Sequence, residues 1–188
     1  MKPYVVFVCG PDKCCKTKIV KKLARALAVP AFKASSERSN FVGRSTEFLP
    51  ELRFADPRIV DFLAQTKHSV VFDRGYPCEY VYSKVLERVT DQEALWKIDE
   101  GYAKLGAVVI ICHRLSYKGI VDDLRPDLLT EHVLEDLDSV YTKFQGLSKC
   151  RSMRVAVDDG KKLNEHVEDV VSFLKRCKND AKRKVGKA

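Results

Sequence analysis

Two periodicities of apolar residues divide the chain. Short solid apolar runs occupy Tyr4–Cys9, Ala31–Ala34, Ser69–Phe72, Ala107–Cys112 and Met153–Val157. Runs of this length, bounded by polar or turn residues, are expected as buried strands. Between them, apolar positions recur every three to four residues. They do so near Lys16–Ala28, Pro57–Gln65, Cys78–Arg88, Gln92–Leu105, Thr130–Phe144 and Lys162–Lys175. The first of these stretches puts Ile19, Val20, Leu23 and Leu27 on one face, the stripe of an amphipathic helix. Strands alternating with helices predict an α/β fold, a five-stranded parallel sheet with helices on both faces. In that architecture ligands bind at the carboxyl ends of the strands, so the residues directly after each run carry the functional interest. Ser116–Leu129 breaks the alternation. It is charged and contains Gly119 and Pro126, which suits either a mobile lid over a site, spanning about 114–129, or an ordinary surface loop.

Composition adds bounds. At 188 residues, 45% hydrophobic and 32% charged, the chain suits one soluble domain, with its body over 1–177 and a tail over 178–188. No apolar run reaches membrane-spanning length, and Tyr4–Cys9 is too short for a signal peptide. The seven cysteines form no C-x-x-C pair. A zinc site or disulfide framework is therefore not expected, and a reducing cytoplasm is the natural compartment. Cys9 and Cys112, inside apolar runs, read as small core residues. The net charge of +8 is concentrated at the end of the chain. From Lys175 onward seven basic residues face Asp180 alone, leaving only +2 for the rest. Such a tail could hold nucleic acid electrostatically or could be a solvated, frayed end.

The candidate chemistry begins directly after the first strand. Gly10-Pro11-Asp12-Lys13-Cys14-Cys15-Lys16-Thr17 fits the phosphate-binding loop G-x-x-x-x-G-K-[ST] at Gly10, Lys16 and Thr17, with Cys15 in place of the second glycine. Strand, loop and helix together aim backbone N–H groups and a helix N-terminus at a phosphate. Lys16 would neutralise the β- and γ-phosphates of ATP, and the Thr17 hydroxyl would ligate Mg²⁺. Cys15 adds bulk and restricts φ where glycine would allow close approach, so weakened donor affinity is expected. Cys14 and Cys15 lie between Lys13 and Lys16 at a helix start. That setting favours reactive thiolate, unless both side chains point into the core as inert filler.

A second element follows the third apolar run, where Asp73-Arg74-Gly75-Tyr76 leaves a strand end. Uncompensated charge there would be costly. Asp73 could organise Mg²⁺ or the acceptor, and Arg74 could form a fork-like pair with phosphate. They could also pair with each other or cap the next helix.

Taken together these segments resemble the thymidylate kinases, a nucleoside monophosphate kinase family of P-loop kinases. The virus-encoded deoxynucleotide kinases of compact sequence are similar as well. The resemblance rests on Gly10-Pro11-Asp12-Lys13 with Lys16-Thr17, on Asp73-Arg74 with an aromatic after it and Glu79 and Tyr82 further on, and on Leu52-Arg53-Phe54-Ala55-Asp56-Pro57-Arg58. It spans roughly residues 4–175. It implies the P-loop kinase three-layer fold with a short lid, and phosphoryl transfer from ATP·Mg²⁺ to a deoxypyrimidine monophosphate such as dTMP. By the same resemblance Asp12 would contact the sugar 3′-hydroxyl, and Lys13 would bridge donor and acceptor phosphates. Phe54 and Arg58 would line the base pocket, and Arg74 would hold the acceptor phosphate. Arg114, Lys118 and Arg125 would close on the donor. Pro11, Cys14 and Cys15 complete the donor loop. A small-molecule nucleotide is the expected partner, and a homodimer is compatible with the resemblance. Ser35–Asn40 departs from the family's acceptor loop, which leaves a deoxynucleoside, a hydroxymethylated pyrimidine in DNA, or a non-catalytic relative as alternatives.

Overall fold

The computed structural model describes residues 3–33, 57–122 and 126–185, with residues 181–185 given by backbone alone. The chain runs β1 (Val5–Cys9), α1 (Lys16–Leu27), β2 (Ala31–Lys33), α2 (Pro57–Thr66), β3 (Val70–Asp73), α3 (Tyr76–Val85), α4 (Gln92–Leu105), β4 (Val108–His113), α5 (Glu131–Leu147), β5 (Arg151–Ala156) and α6 (Leu163–Val185). The strands form one five-stranded sheet in the order β2-β3-β1-β4-β5, parallel throughout.

β1, β3 and nearly all of β4 are buried because they lie in the middle, which explains why they read as solid apolar runs. β2 is fully exposed at one edge and β5 is half-covered at the other. On one face α1 packs on α6; on the other α3 packs on α4 and α5, and α2 on α4. Right-handed crossovers dictate this division. Connections leaving β1 toward β2 and leaving β3 toward β4 run in opposite directions, so their helices land on opposite faces. The crevice between the carboxyl ends of β1 and β3 is thus the switch point of the fold, where ligands are expected.

Local signals set most boundaries. Asp91 caps α4 by accepting from Ala94 N at 2.9 Å, and Gly106 closes it in a left-handed turn. α3 begins two residues earlier than the sequence pattern predicts, because Pro77 suits the first helical turn. α6 continues to Val185, ten residues beyond the predicted end at Lys175, so the start of the basic segment is helical rather than frayed. Ala34, expected to end β2, lies outside the described residues. The segment from Arg114 to Asp122 contains no helix or strand. No described helix is long and apolar enough to cross a membrane.

Candidate active site

The loop after β1 is shaped by its backbone. Gly10 has φ +134, and a Cβ there would fall 1.9 Å from the Cys112 carbonyl oxygen of β4. No other residue fits that contact. Lys13 and Cys15 take left-handed φ values of 60 and 52, so the chain curls tightly before entering α1. Cys15 occupies the N-cap position of α1 without a side-chain cap bond. The position that would ordinarily be glycine therefore has a glycine-like conformation occupied by cysteine, at a cost of about 1–2 kcal/mol for the left-handed backbone.

Lys16 opens the helix and folds back under the loop. Its Nζ donates to the Pro11 carbonyl at 2.5 Å and lies 3.6 Å from Asp12 Oδ1. Thr17 Oγ1 donates to Asp73 Oδ2 at 2.7 Å, joining the first turn of α1 to the end of β3. That bond follows from register, since Asp73 stands beside Val8 in the sheet. A hydroxyl and a carboxylate side by side are the donor set that Mg²⁺ uses when phosphates and waters supply the rest of its octahedron. Among the described residues no group of three or more His, Cys, Asp or Glu side chains could hold a metal ion by itself.

Arg74 follows Asp73 with φ +75. Its Nη2 bonds Asp12 Oδ1, its Nη1 reaches Tyr82 Oη at 3.4 Å, and Tyr82 Oη donates to Asp12 Oδ2 at 2.9 Å. Three groups from the loop, the β3 turn and α3 thus close a ring. Burial favours the neutral acid at Asp12. The Arg74 and Lys16 charges and the bonds from Tyr82 and Arg74 outweigh it, and hold the carboxyl down at about 2.

Arg114, at the end of β4, donates from Nη1 to the Lys13 carbonyl at 3.3 Å, and its Nε lies 3.5 Å from Asp158 Oδ2. Asp158 Oδ1 also accepts from Leu115 N at 2.8 Å. Tyr117 is buried beneath this segment, with its hydroxyl 3.5 Å from Cys14 Sγ.

Gly10, Pro11, Asp12, Lys13, Lys16, Thr17, Asp73, Arg74 and Arg114 therefore gather at the carboxyl ends of the central strands β1, β3 and β4. Arg58 is exposed in the first turn of α2 and Lys118 is exposed. Phe54 and Arg125 lie outside the described residues, as does Ser35–Asn40. The expectation of a reactive Cys14 is corrected. The side chain is fully buried, and burial pushes its thiol up to about 11 against the pull of Tyr117, Lys16 and Arg114, so it is core filler. Cys15 remains half-exposed. The sequence reading gave Tyr82 no role of its own and passed over Asp158 and Tyr117. Asp158 carries a legible signal, because it directly follows a strand; Tyr117 carries none.

No protein-family profile and no curated protein sequence matches the chain. Solved structures do. The chain is similar to the YorR protein of Bacillus subtilis, solved in complex with phosphorylated GDP, at 20% identity over 91% of this chain and 95% of that one, with a TM-score of 0.66. It is similar to the thymidylate kinase of Candida albicans at 12% identity over 95% and 93%, TM-score 0.63. Deoxyadenosine kinase from M. mycoides matches at 16% identity over 91% and 98%, TM-score 0.58. The chain has the fold of the P-loop nucleoside and nucleotide kinases, as its sequence resemblance implies.

Proposed function

We propose that the protein transfers the γ-phosphoryl group of ATP to a nucleoside monophosphate, a deoxypyrimidine nucleotide such as dTMP before others. The observation that carries this reading is the 2.7 Å bond between Thr17 and Asp73, with Lys16 and Arg74 flanking it. It supports a donor-phosphate site and an acceptor cation drawn from two strand ends. The bond between the γ-phosphorus and its bridging oxygen breaks, ADP leaves, and an acceptor phosphate oxygen takes the phosphorus in line. The acceptor is already ionised near neutral pH, so no strong base is required. Lys16 and the α1 amides neutralise the donor phosphates, while Arg74 grips the acceptor through its planar fork. Asp12 keeps that fork aimed, beyond the sugar contact the family resemblance implies. Lys13 and Arg114, joined through the Lys13 carbonyl, would neutralise the charge that passes between donor and acceptor. Thr17 and Asp73 would hold Mg²⁺, which supplies charge neutralisation on the phosphates when bound. Catalysis would come chiefly from positioning and electrostatics.

The likeness to a deoxyadenosine kinase favours a deoxynucleoside acceptor as a second reading. A coupled ADP-release assay across nucleosides, nucleoside monophosphates and hydroxymethylated DNA separates the possibilities. Turnover with a monophosphate supports the first reading, and turnover with nucleosides alone replaces it with the second. Turnover on DNA alone would make the basic tail part of the substrate site. ATP binding without turnover on any acceptor would mark a non-catalytic relative.

A further inference from the structure

Arg74 sits in a conformation that its own residue type does not favour, and something must hold it there. Its φ is +75, uncommon for a side chain of this size. Its backbone is tied to the sheet by a bond from Arg74 N to Val8 O at 3.0 Å. The next residue, Gly75, has no room for a Cβ, which would fall 2.5 Å from the Phe7 ring. Tyr76 then turns back into the core. It stacks on Tyr102 at 5.5 Å and meets Phe7 edge-on at 5.2 Å, and only 1% of it is exposed.

At the far end of that ring lies Asp99, a carboxylate of α4 with 0% exposure. A buried carboxylate is costly unless its lone pairs are filled. Here Oδ1 accepts from Tyr76 Oη at 2.7 Å and from Ser148 Oγ at 2.5 Å, and Oδ2 accepts from Lys149 N at 2.7 Å. Cys150 completes the cluster, with its Sγ 3.4 Å from Tyr76 Oη and 3.7 Å from the Asp99 carbonyl oxygen. Nothing in the proposed reaction uses these groups directly. They tie the start of α3 to the turn between α5 and β5.

We infer that Tyr76 and Asp99 form a buried strut that positions Arg74, the ring setting the height of the β3 turn and the carboxylate fixing the ring. Both are positioning residues, acting only through the turn. Asp99 suits this task because a carboxylate accepts at both oxygens. In Asp99→Asn one oxygen becomes an NH₂ group, which must face a donor. The inference deepens the proposed function, since the effect on catalysis depends on Arg74 gripping the acceptor phosphate.

The test uses the full chain and three variants: Tyr76→Phe, which keeps the ring and removes the hydroxyl, Asp99→Asn, and Val170→Ala. The last alters the fully buried Val170 of α6 on the other face of the sheet, and serves as a control for general loss of stability. Hydrogen exchange of the Arg74 amide should quicken about tenfold in Tyr76→Phe and more in Asp99→Asn, relative to Val170→Ala at equal global stability. The KM for the best acceptor should rise about tenfold, below the roughly hundredfold cost of displacing a positioned group by about an ångström, while the KM for ATP stays put. An unchanged Arg74 amide in Tyr76→Phe, or equal changes in Val170→Ala, overturns the strut. Should Asp99→Asn not fold, Tyr76→Phe decides alone. If the parent turns over no nucleotide, the proposed function falls, and the exchange measurement still decides whether the strut holds the turn.

Discussion

The loop after β1 and the turn after β3 do the same thing by different means. Each ends a central strand, each holds non-glycine residues at positive φ, and each delivers a cation to Asp12. In the loop, conformation is local. Gly10, Lys13 and Cys15 hold positive φ, and Lys16 is placed by being the first residue of a helix. In the turn, conformation is borrowed from the rest of the molecule. Arg74 is held by Asp12 and Tyr82 in front and by the packed Tyr76 ring behind. The difference teaches that the lysine proposed for the donor phosphates can be specified by eight consecutive residues. The arginine proposed for the acceptor phosphate, on a strained turn, needs partners from several elements.

The comparison breaks most sharply at Lys16. Replacing it with alanine should lower turnover by about a hundredfold or more, because in the proposed reaction its charge acts on the developing transition state. The fold should survive, since alanine is a good helix former at that position. Steady-state kinetics with circular dichroism checks both halves, and turnover within about tenfold of the parent rejects the phosphate-loop assignment.

The turn should fail differently. Arg74→Lys loses the fork and should raise acceptor KM by roughly tenfold or more, whereas Asp73→Asn should chiefly lower kcat. Parent-like kinetics in both variants would move the site elsewhere.

Asp12 joins the two regions, and its acid titration sharpens the link. Its folded pKa of about 2 lies below the ordinary carboxylate value. The stabilisation is thus fully present above about pH 4 and is lost as pH falls through about 2, a contribution on the order of 2 kcal/mol. Denaturant melts across that window should show a steeper acid loss in the parent than in Asp12→Asn. Equal slopes would mean the ring of Asp12, Arg74 and Tyr82 does not hold in solution.

The smallest effect is expected at Cys15. Glycine relieves a left-handed backbone worth about 1 kcal/mol, so Cys15→Gly should raise Tm by about 2–4 °C in a chain of this size and tighten ATP binding. A lower Tm together with unchanged ATP affinity would show that the cysteine side chain earns its place by packing.

Much of this arrangement is legible in the sequence alone. The apolar runs predicted all five strands, because central parallel strands are buried on both faces and cannot hide their character. Even edge strand β2 was found, from its short apolar core. Helix ends were less legible. α6 overruns its prediction because apolar residues thin out beyond Leu174, while the helix continues through the basic residues to Val185. Cys14 was misjudged because neighbouring lysines are visible in sequence and burial is not. Its thiol is governed by burial.

By itself, the sequence determined the α/β order, the phosphate loop, and the placement of Asp73 and Arg74 at a strand end. These depend on residues close together in the chain, where period and spacing are physical constraints. Only the tertiary structure decided that Asp73 meets Thr17, that Tyr82 closes a ring with Asp12 and Arg74, and that Asp99 stands beneath Tyr76. The Tyr76–Asp99, Thr17–Asp73 and Asp12–Tyr82 contacts join residues from 23 to 70 positions apart. Their geometry comes from strand register and helix packing, which no local pattern encodes.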